Sequence, residues 1–377
     1  MVKRSISFLI FVVFVWLIWS YSGRNLPLTE AQSFLSVIEE VNSPDSLERN
    51  IIGIQPYMEL SDYLNPGKFD NKIRLYIAAA RQKGFIRKNT VILFPENLGT
   101  YLFLLGEKHA VAEKETWEKA KNTLIFSNLF DYFLGYIKTG EEPDKAKSAI
   151  FRMKSKSMAS VYFDTFSTLA KETQSYIFAG SIILPGPYVS DGEIFIERKK
   201  ALVNVSFLFG PDGKVVGQPI QKTHPNKTEL GYLIEPELKT IQNSPLPFAN
   251  ASLLIGKDSW FPENQDKALA NNTDLFLMPA SAIGENSMNS FWTANDFTAI
   301  PSFIEEGDVN QISLKEAWSK YSIFQRLAAF PSKVGVSAFL NGNFWENSSE
   351  VQPIIFYNGE FLSLTSAENA GIWSLNF

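Results

Sequence analysis

Few residues of this 377-residue chain have the chemistry of a nucleophile or a metal ligand. The sequence contains no cysteine, which excludes disulfides, thiolate zinc sites and a cysteine nucleophile. Its two histidines, His109 and His224, are too few for a multi-histidine metal site, and we expect neither a metal nor a cofactor. A serine–histidine relay has few possible forms for the same reason.

One segment nevertheless has the arrangement of a nucleophile site. IGKDSWFPE, residues 255–263, follows a short apolar run and ends in an aromatic-Pro-Glu turn. Two segments precede it, VILFPENLGTYL (91–102) and FLFGPDGKVVGQPIQKTHPNKTE (207–229). In order, spacing and turn residues, the three segments resemble the signature regions of the nitrilase superfamily, the carbon–nitrogen hydrolases. The resemblance covers roughly residues 50–100 and 175–340.

The resemblance implies a Glu–Lys–Cys triad on an αββα sandwich. In such a triad a thiolate attacks an amide or nitrile carbon, a carboxylate handles the proton, and a fixed cation stabilises the developing oxyanion. By this resemblance the general base falls on Glu96 and the cation on Lys222. A further family glutamate falls on Glu229.

The third signature departs from the family at the residue that does the chemistry. Counting back from the aromatic-Pro-Glu turn, Asp258 matches the family's acidic position, whereas the position of the cysteine is Gly256 and that of its aromatic neighbour is Lys257. No shift of the alignment restores the thiol, because the chain has none. We expect Gly256 to keep the shape of the elbow, with Glu96 and Lys222 facing a small void where a thiol would sit.

Other interpretations of these residues stay open on the sequence alone. Ser259 lies three positions after the elbow and lacks a histidine partner, and Lys257 would form an imine only if desolvated. Without the resemblance, Glu96 is equally a carboxylate that caps a turn, and Lys222 a solvated surface lysine. His224 is better explained as a packing or surface residue than as a base.

The elements that must position these residues alternate between short β-rich runs and helical patterns, which predicts an α/β protein with layered sheets. Strands are predicted at 50–55, 90–95, 175–184, 201–210, 251–256, 272–281 and 333–340, with a terminal hairpin in 351–364. Helices are predicted at 71–84, 263–270 and 313–329. We assign residues 50–377 to the hydrolase-like domain, 101–172 to a helical insertion over the site, and 24–49 to a linker with a helix around 29–41.

The N-terminus has the composition of a membrane segment. Residues 5–23 carry no charge, and residues 8–19 are continuously apolar, which is just long enough for a transmembrane helix. Lys3 and Arg4 would stay in the cytoplasm and place the domain on the periplasmic or extracellular side. A cleaved signal peptide is the main alternative. A buried core helix is a weaker one, because nothing in the run is polar at helical spacing. The bulky Trp16, Trp19 and Tyr21 favour an uncleaved anchor.

These observations lead to three hypotheses of function. The first is a membrane-anchored, exported nitrilase-like pseudoenzyme that binds an amide- or carboxylate-type ligand. The second is an active amidase or N-acyltransferase-like enzyme with a cysteine-free mechanism, and the third is a structural protein with a vestigial pocket. The net charge of −5 gives no reason to expect nucleic acid as a partner. The resemblance also implies a homodimer, and the sequence does not identify the ligand.

Overall fold

The structure is a computed structural model that describes residues 2–24, 30–44, 48–236, 240–284 and 288–377. Its α-helices are α1 (Val2–Tyr21), α2 (Pro66–Gln82), α3 (His109–Ala112), α4 (Trp117–Ser127), α5 (Leu129–Tyr136), α6 (Lys145–Thr173), α7 (Pro262–Ala270), α8 (Leu314–Tyr321) and α9 (Ile323–Leu327). Short 3₁₀ helices cover Leu60–Tyr63, Thr100–Leu104, Glu229–Gly231, Gly256–Trp260 and Glu306–Asp308.

The strands fall into two large sheets and one separate hairpin. In chain order they are β1 (Leu35–Glu40), β2 (Arg49–Gln55), β3 (Tyr57–Glu59), β4 (Asn89–Leu93), β5 (Tyr176–Pro185), β6 (Pro187–Ser190), β7 (Glu193–Ile196), β8 (Leu202–Phe209) and β9 (Val215–Gln221). They continue with β10 (Asn243–Leu246), β11 (Ala249–Leu253), β12 (Leu275–Ser281), β13 (Val334–Phe344), β14 (Asn347–Ser349), β15 (Ile355–Tyr357), β16 (Glu360–Phe361) and β17 (Ala370–Asn376).

The first sheet has the order β1-β17-β2-β4-β5-β8-β9, and the second has β10-β11-β12-β13-β15-β16, with β3 and β14 also paired to β13. Both sheets are mixed, with a parallel centre. In the first, β2, β4 and β5 run parallel, and in the second, β11, β12 and β13 do. Strands that are covered on both faces need apolar side chains on both, which explains the continuous apolar runs of these segments.

The two sheets stack face to face between two layers of helices. Successive residues of a strand point to opposite faces: Ile51 of β2 packs against the second sheet, whereas Ile52 packs towards α2 and α6. In β12, Leu277 faces the first sheet and Met278 faces α8 and α9. The arrangement confirms the predicted αββα sandwich.

The segment assigned to the helical insertion is helical in the structure, from the 3₁₀ helix at Thr100–Leu104 to the end of α6. The predicted helix in the linker is wrong. Residues 30–34 have no regular structure, and 35–40 form β1, which pairs in parallel with β17. Ladder hydrogen bonds and the burial of Val37 override the local helical pattern of this segment. The sheet domain therefore begins before residue 50.

Helix α1 is long and apolar enough, from Lys3 to Tyr21, to cross a membrane. Along this stretch every side chain is exposed except those of Trp16 and Ser20, which lie one turn apart on the same face. That face meets the insertion: the Trp16 indole donates to the Phe126 carbonyl (2.9 Å), and the Ser20 hydroxyl donates to the Ser127 carbonyl (2.5 Å). The end of α1 is thus fixed to the domain.

Candidate functional site

Glu96 lies just beyond the carboxyl end of β4, on a turn with unusual backbone geometry. The next residue, Asn97, has a φ of +63°, and its N–H donates to the Ser181 hydroxyl (2.8 Å). Gly180 has a φ of +75°, and a β-carbon there would collide with the Pro95 carbonyl oxygen. The glycine in SYIFAGSI thus allows β5 to approach this turn and fix the direction of the Glu96 side chain.

Glu96, Lys222 and Glu229 form one buried ionic cluster. The Lys222 ammonium donates to Glu96 Oε1 at 2.8 Å and to Glu229 Oε2 at 2.6 Å. All three residues are 4% exposed or less. Lys222 directly follows β9, and its backbone N–H donates to the Asn204 carbonyl of β8 at 2.8 Å. The structure therefore brings together the three charged residues that the sequence singled out.

Asn204 is a fourth member of this cluster that the sequence analysis did not identify. Its side-chain N–H group donates to Glu229 Oε1 (3.0 Å) and lies 3.3 Å from Glu96 Oε1. The signal was present, since Asn204 is a lone amide inside the apolar run ALVNVSFLFG. A polar residue in a buried strand requires a partner, and here the amide donates to both carboxylates.

Two buried carboxylates share one ammonium, so the cluster carries a surplus negative charge when all three groups are ionised. Burial, together with the nearby charge of Glu229, outweighs the attraction of Lys222 and raises the pKa of Glu96 to about 7. Burial opposes the charge of Lys222, but the carboxylates of Glu229 and Glu96 overcome it and raise the pKa of the ammonium. Lys222 is therefore a permanent cation, and Glu96 is the group that titrates near neutral pH.

Gly256 occupies the elbow between β11 and α7, with a φ of +56° that glycine adopts without strain. The elbow is tied to the lysine segment by Asp258. Its carboxylate accepts the backbone N–H groups of Thr223 (2.7 Å) and His224 (2.8 Å), the two residues that follow Lys222. The retained acidic residue of the third signature thus fixes the elbow beside the ionic cluster.

The void expected beside Gly256 is not there. An ideal β-carbon on this residue would lie 2.5 Å from Glu96 Oε2 and 3.1 Å from the carboxyl carbon. The expectation assumed that the carboxylate keeps its distance from the elbow. Without a β-carbon or sulfur in the way, the Glu96 carboxylate instead packs against the glycine. The Glu96 carboxylate thus lies where a side chain on residue 256 would have to begin.

The candidate replacement nucleophiles have other partners. Ser259 is buried, and its hydroxyl donates to the Gly256 carbonyl at 3.2 Å. The Lys257 ammonium forms an ion pair with Asp296 and lies 4.8 Å from the centre of the Trp260 ring. His224 stacks on Phe261, with ring centres 3.5 Å apart, which supports its interpretation as a packing residue. Among the described residues, no cluster has the composition of a metal site.

Two cavities meet at the Glu96 carboxylate. One, of about 300 Å³, has a mixed wall, with the charged Lys222, Lys257 and Asp296 beside apolar residues such as Phe261 and Phe297. The other, of about 410 Å³, lies beneath the helical insertion, and we call it the aromatic cavity after one part of its wall: Tyr101, Phe103, Trp117, Phe151, Tyr232, Phe344 and Trp345. The rest of its wall is polar or charged and includes Lys147, Glu229 and Glu346. Gly256 lines neither cavity. A ligand in the cleft would therefore meet the Glu96–Lys222 pair and not residue 256.

Comparison with protein-family models and with curated proteins finds no match. Comparison with solved structures finds amidases. A cysteine-to-serine variant of the amidase from Nesterenkonia AN1, described as a member of the nitrilase superfamily, matches with a TM-score of 0.53 and 15% identity over 88% of this chain and 92% of that one. The same amidase after removal of its tag gives a TM-score of 0.52, 15% identity and coverages of 87% and 92%.

A cysteine-to-alanine variant of that amidase in complex with butyramide gives a TM-score of 0.51 and 15% identity, over 88% of this chain and 91% of that one. Other structures of it carry acrylamide or fluoroacetamide products on an active-site cysteine. At this identity the likeness shows the fold, and it extends over nearly the whole length of both chains. The fold of this chain is that of the nitrilase superfamily amidases, built on a sequence with glycine at the elbow and no cysteine.

Proposed function

We propose that this protein is a nitrilase-like binding protein that does not hydrolyse its ligand. The observation that carries the proposal is the contact between Glu96 and Gly256 in a chain without cysteine. Glu96, Lys222 and the elbow are kept, whereas the chain has no thiol, and the Glu96 carboxylate lies against the elbow glycine. Loss of the nucleophile from a serine protease lowers turnover roughly a millionfold, and we expect a comparable loss here.

The cleft has the groups to bind an amide or a carboxylate. The Lys222 ammonium has three donors, and two of them point to Glu96 and Glu229, so within the described part of the chain one is left for a ligand oxygen. Glu96 with a pKa near 7 donates a proton to a ligand when protonated and accepts an amide N–H when ionised. The aromatic cavity beside it suits an apolar substituent on the same ligand.

The binding proposal is tested by thermal unfolding of the full-length protein in detergent, titrated with butyramide and with butyrate. We expect a saturable rise in Tm with at least one of them, because a ligand that binds only the folded state stabilises it. Lys222→Met should abolish the rise, and Lys200→Met, which alters an exposed lysine paired with Glu197, should keep it. No rise over a wider panel of amides and acids would favour a vestigial pocket.

One observation favours the second candidate, an enzyme with a cysteine-free mechanism. A carboxylate with a pKa near 7 is well matched to act as a general base at neutral pH, in this case on water. This mechanism predicts measurable amide turnover that is lost in Glu96→Gln. Binding without turnover would exclude it.

We also propose that α1 is an uncleaved anchor and that the domain lies on the periplasmic or extracellular side. The contacts of Trp16 and Ser20 with the insertion support an anchor that is part of the folded structure. The absence of native cysteines allows a direct test with a membrane-impermeant maleimide on intact cells. Lys199→Cys should be labelled and Lys3→Cys protected until the cells are lysed. The reverse pattern would invert the proposed topology.

A further inference from the structure

Exposed apolar side chains are concentrated on one part of the helical insertion. Outside α1, the described part of the chain has fifteen large apolar side chains that are well exposed, and six of them lie within residues 126–137. Four of these, Leu129, Phe130, Phe133 and Ile137, follow helical spacing along α5 and the residue after it, and with Phe126 at the end of α4 they form what we call the α5 stripe. Their exposed fractions run from 42% to 70%. So compact an apolar surface marks an interaction site.

The stripe is held outward by a rigid contact on the opposite face of α5. Gly135 is buried against α6, and a β-carbon there would lie 2.5 Å from the Ala149 carbonyl oxygen. Only glycine allows α5 and α6 to approach so closely. The stripe is therefore a fixed outer face of the domain and not a side of the insertion that could fold inward.

The stripe begins beside the C-terminal part of α1. Phe126, its first residue, accepts the Trp16 indole N–H through its carbonyl, and the next residue, Ser127, accepts from Ser20 and from the Arg24 guanidinium (2.9 Å). Trp16 lies five residues before the end of α1, a rise of about 7 Å at 1.5 Å per residue. Phe126 is thus beside a part of α1 that lies within the apolar span, and not beyond its end.

Basic residues are grouped at one end of this surface. Lys138 follows the stripe, and burial together with the like charges of Arg198, Lys156 and Lys199 lowers its pKa. At the α1 side, the Lys108 ammonium lies 3.4 Å from the centre of the Trp19 ring and donates to the Trp19 carbonyl. Lys108 is only 5% exposed and belongs to the contact between α1 and the insertion. An apolar face with a group of basic residues at one end has the pattern of a surface that enters a lipid leaflet with anionic headgroups.

We propose that the α5 stripe enters the lipid leaflet next to α1, as a second membrane contact of the domain. The proposal rests on α1 spanning the membrane, as proposed above. Two membrane contacts fix the orientation of the domain relative to the bilayer, which a single helix does not. They hold α4 and α5 against the bilayer, and α4 contributes Trp117 to the wall of the aromatic cavity. The cavity would then lie close to the lipid surface.

The test uses the full-length protein in vesicles of phosphatidylethanolamine and phosphatidylglycerol. Because the chain has no cysteine, Phe130→Cys and Phe133→Cys each carry a single nitroxide, and paramagnetic resonance gives its accessibility to oxygen, which is enriched in lipid, and to a water-soluble nickel chelate. Phe330→Cys is the matched control, since Phe330 is an exposed aromatic (43%) on the far layer of the sandwich, after α9. Ile10→Cys reports on α1 itself.

We expect the oxygen-to-nickel ratio of Phe130→Cys and Phe133→Cys to exceed that of Phe330→Cys several-fold and to approach that of Ile10→Cys. A high ratio for Ile10→Cys with stripe ratios equal to the Phe330→Cys control overturns the stripe proposal and leaves the anchor intact. A low ratio for Ile10→Cys overturns the anchor itself. Stripe labels shielded from both reagents and broadened by a second nitroxide would mean that the stripe pairs with another copy of the chain, which also overturns the proposal.

Discussion

The Glu96 carboxylate lies against Gly256, at the position that a side chain on residue 256 would need. The β-carbon of any other residue would stand 2.5 Å from Glu96 Oε2, well inside van der Waals contact, with the backbone at a φ of +56°. The same carboxylate is held from the other side by Lys222 at 2.8 Å. The glycine and the position of the base therefore depend on each other.

This mutual dependence predicts that Gly256→Ala strongly lowers the free energy of unfolding. The left-handed backbone costs about 1–2 kcal/mol for a residue with a β-carbon, and the contact with Glu96 adds about 1–3 kcal/mol of overpacking. Gly217→Ala is the control, since Gly217 has a φ of +77° and a β-carbon placed there would meet nothing within 4 Å. Gly217→Ala should lower the free energy of unfolding only by the contribution of the left-handed backbone.

A double-mutant cycle in urea isolates the contact. In a Glu96→Ala background, which leaves Lys222 balanced by Glu229, Gly256→Ala should cost no more than Gly217→Ala. An equal cost of Gly256→Ala with and without Glu96 would show that the two residues are not coupled.

The raised pKa of Glu96 predicts a specific pH dependence of stability. The unfolded state loses this proton near the ordinary value of 4.5, whereas the folded state holds it until about pH 7. Between these values the folded state binds more protons, so its stability falls as pH rises, by about 3 kcal/mol in total at about 1.4 kcal/mol per pKa unit. The contribution of Glu96 to the stability of the folded state is fully present below pH 4.5 and lost above pH 7.

Glu96→Gln removes this titration while keeping the shape of the side chain. The difference in unfolding free energy between the variant and the wild type should therefore shift in favour of the variant from pH 5 to pH 8, and titrations elsewhere in the chain cancel in the comparison. Parallel curves for the two proteins would contradict the assignment of the titrating group.

Removal of the shared cation is the most disruptive change that the cluster predicts. Lys222→Met leaves Glu96 and Glu229 buried without a counter-charge, which costs about 3–5 kcal/mol at pH 7. Lys200→Met removes an exposed ion pair with Glu197 and should cost about 0–1 kcal/mol. Urea unfolding at pH 7 measures both. Equal, small losses would mean that Lys222 does not hold the cluster together.

Most of the fold could be predicted because its buried strands are continuous apolar runs and its turns carry informative residues. The errors have physical causes. The segment 35–40 has a local helical pattern, and only its pairing with the distant β17 makes it a strand. β17 pairs with β1 and β2, which lie more than 300 positions earlier in the sequence, and no local pattern indicates a contact over that distance.

The signatures single out residues that the structure brings together, but the geometry of these residues could not be predicted from them. The missing thiol is visible in the sequence, because glycine stands where the signature requires cysteine. The position that Glu96 takes in the absence of a side chain on residue 256 cannot be read from the sequence. Glu96 can approach Gly256 because residue 256 has no side chain, while Lys222 binds the carboxylate on its other side. This arrangement depends on the packing of four separate segments of the chain.

The central claim is that the cleft binds an amide-type ligand and does not cleave it. Calorimetric titration of the full-length wild-type protein with butyramide, followed by assay of ammonia and butyrate in the same cell, tests both halves on one sample. We predict a saturable heat of binding that is absent in Lys222→Met, with no product above the level of a protein-free control. Release of ammonia at a rate typical of enzymes, about 1 per second or more, and its loss in Glu96→Gln would contradict the claim.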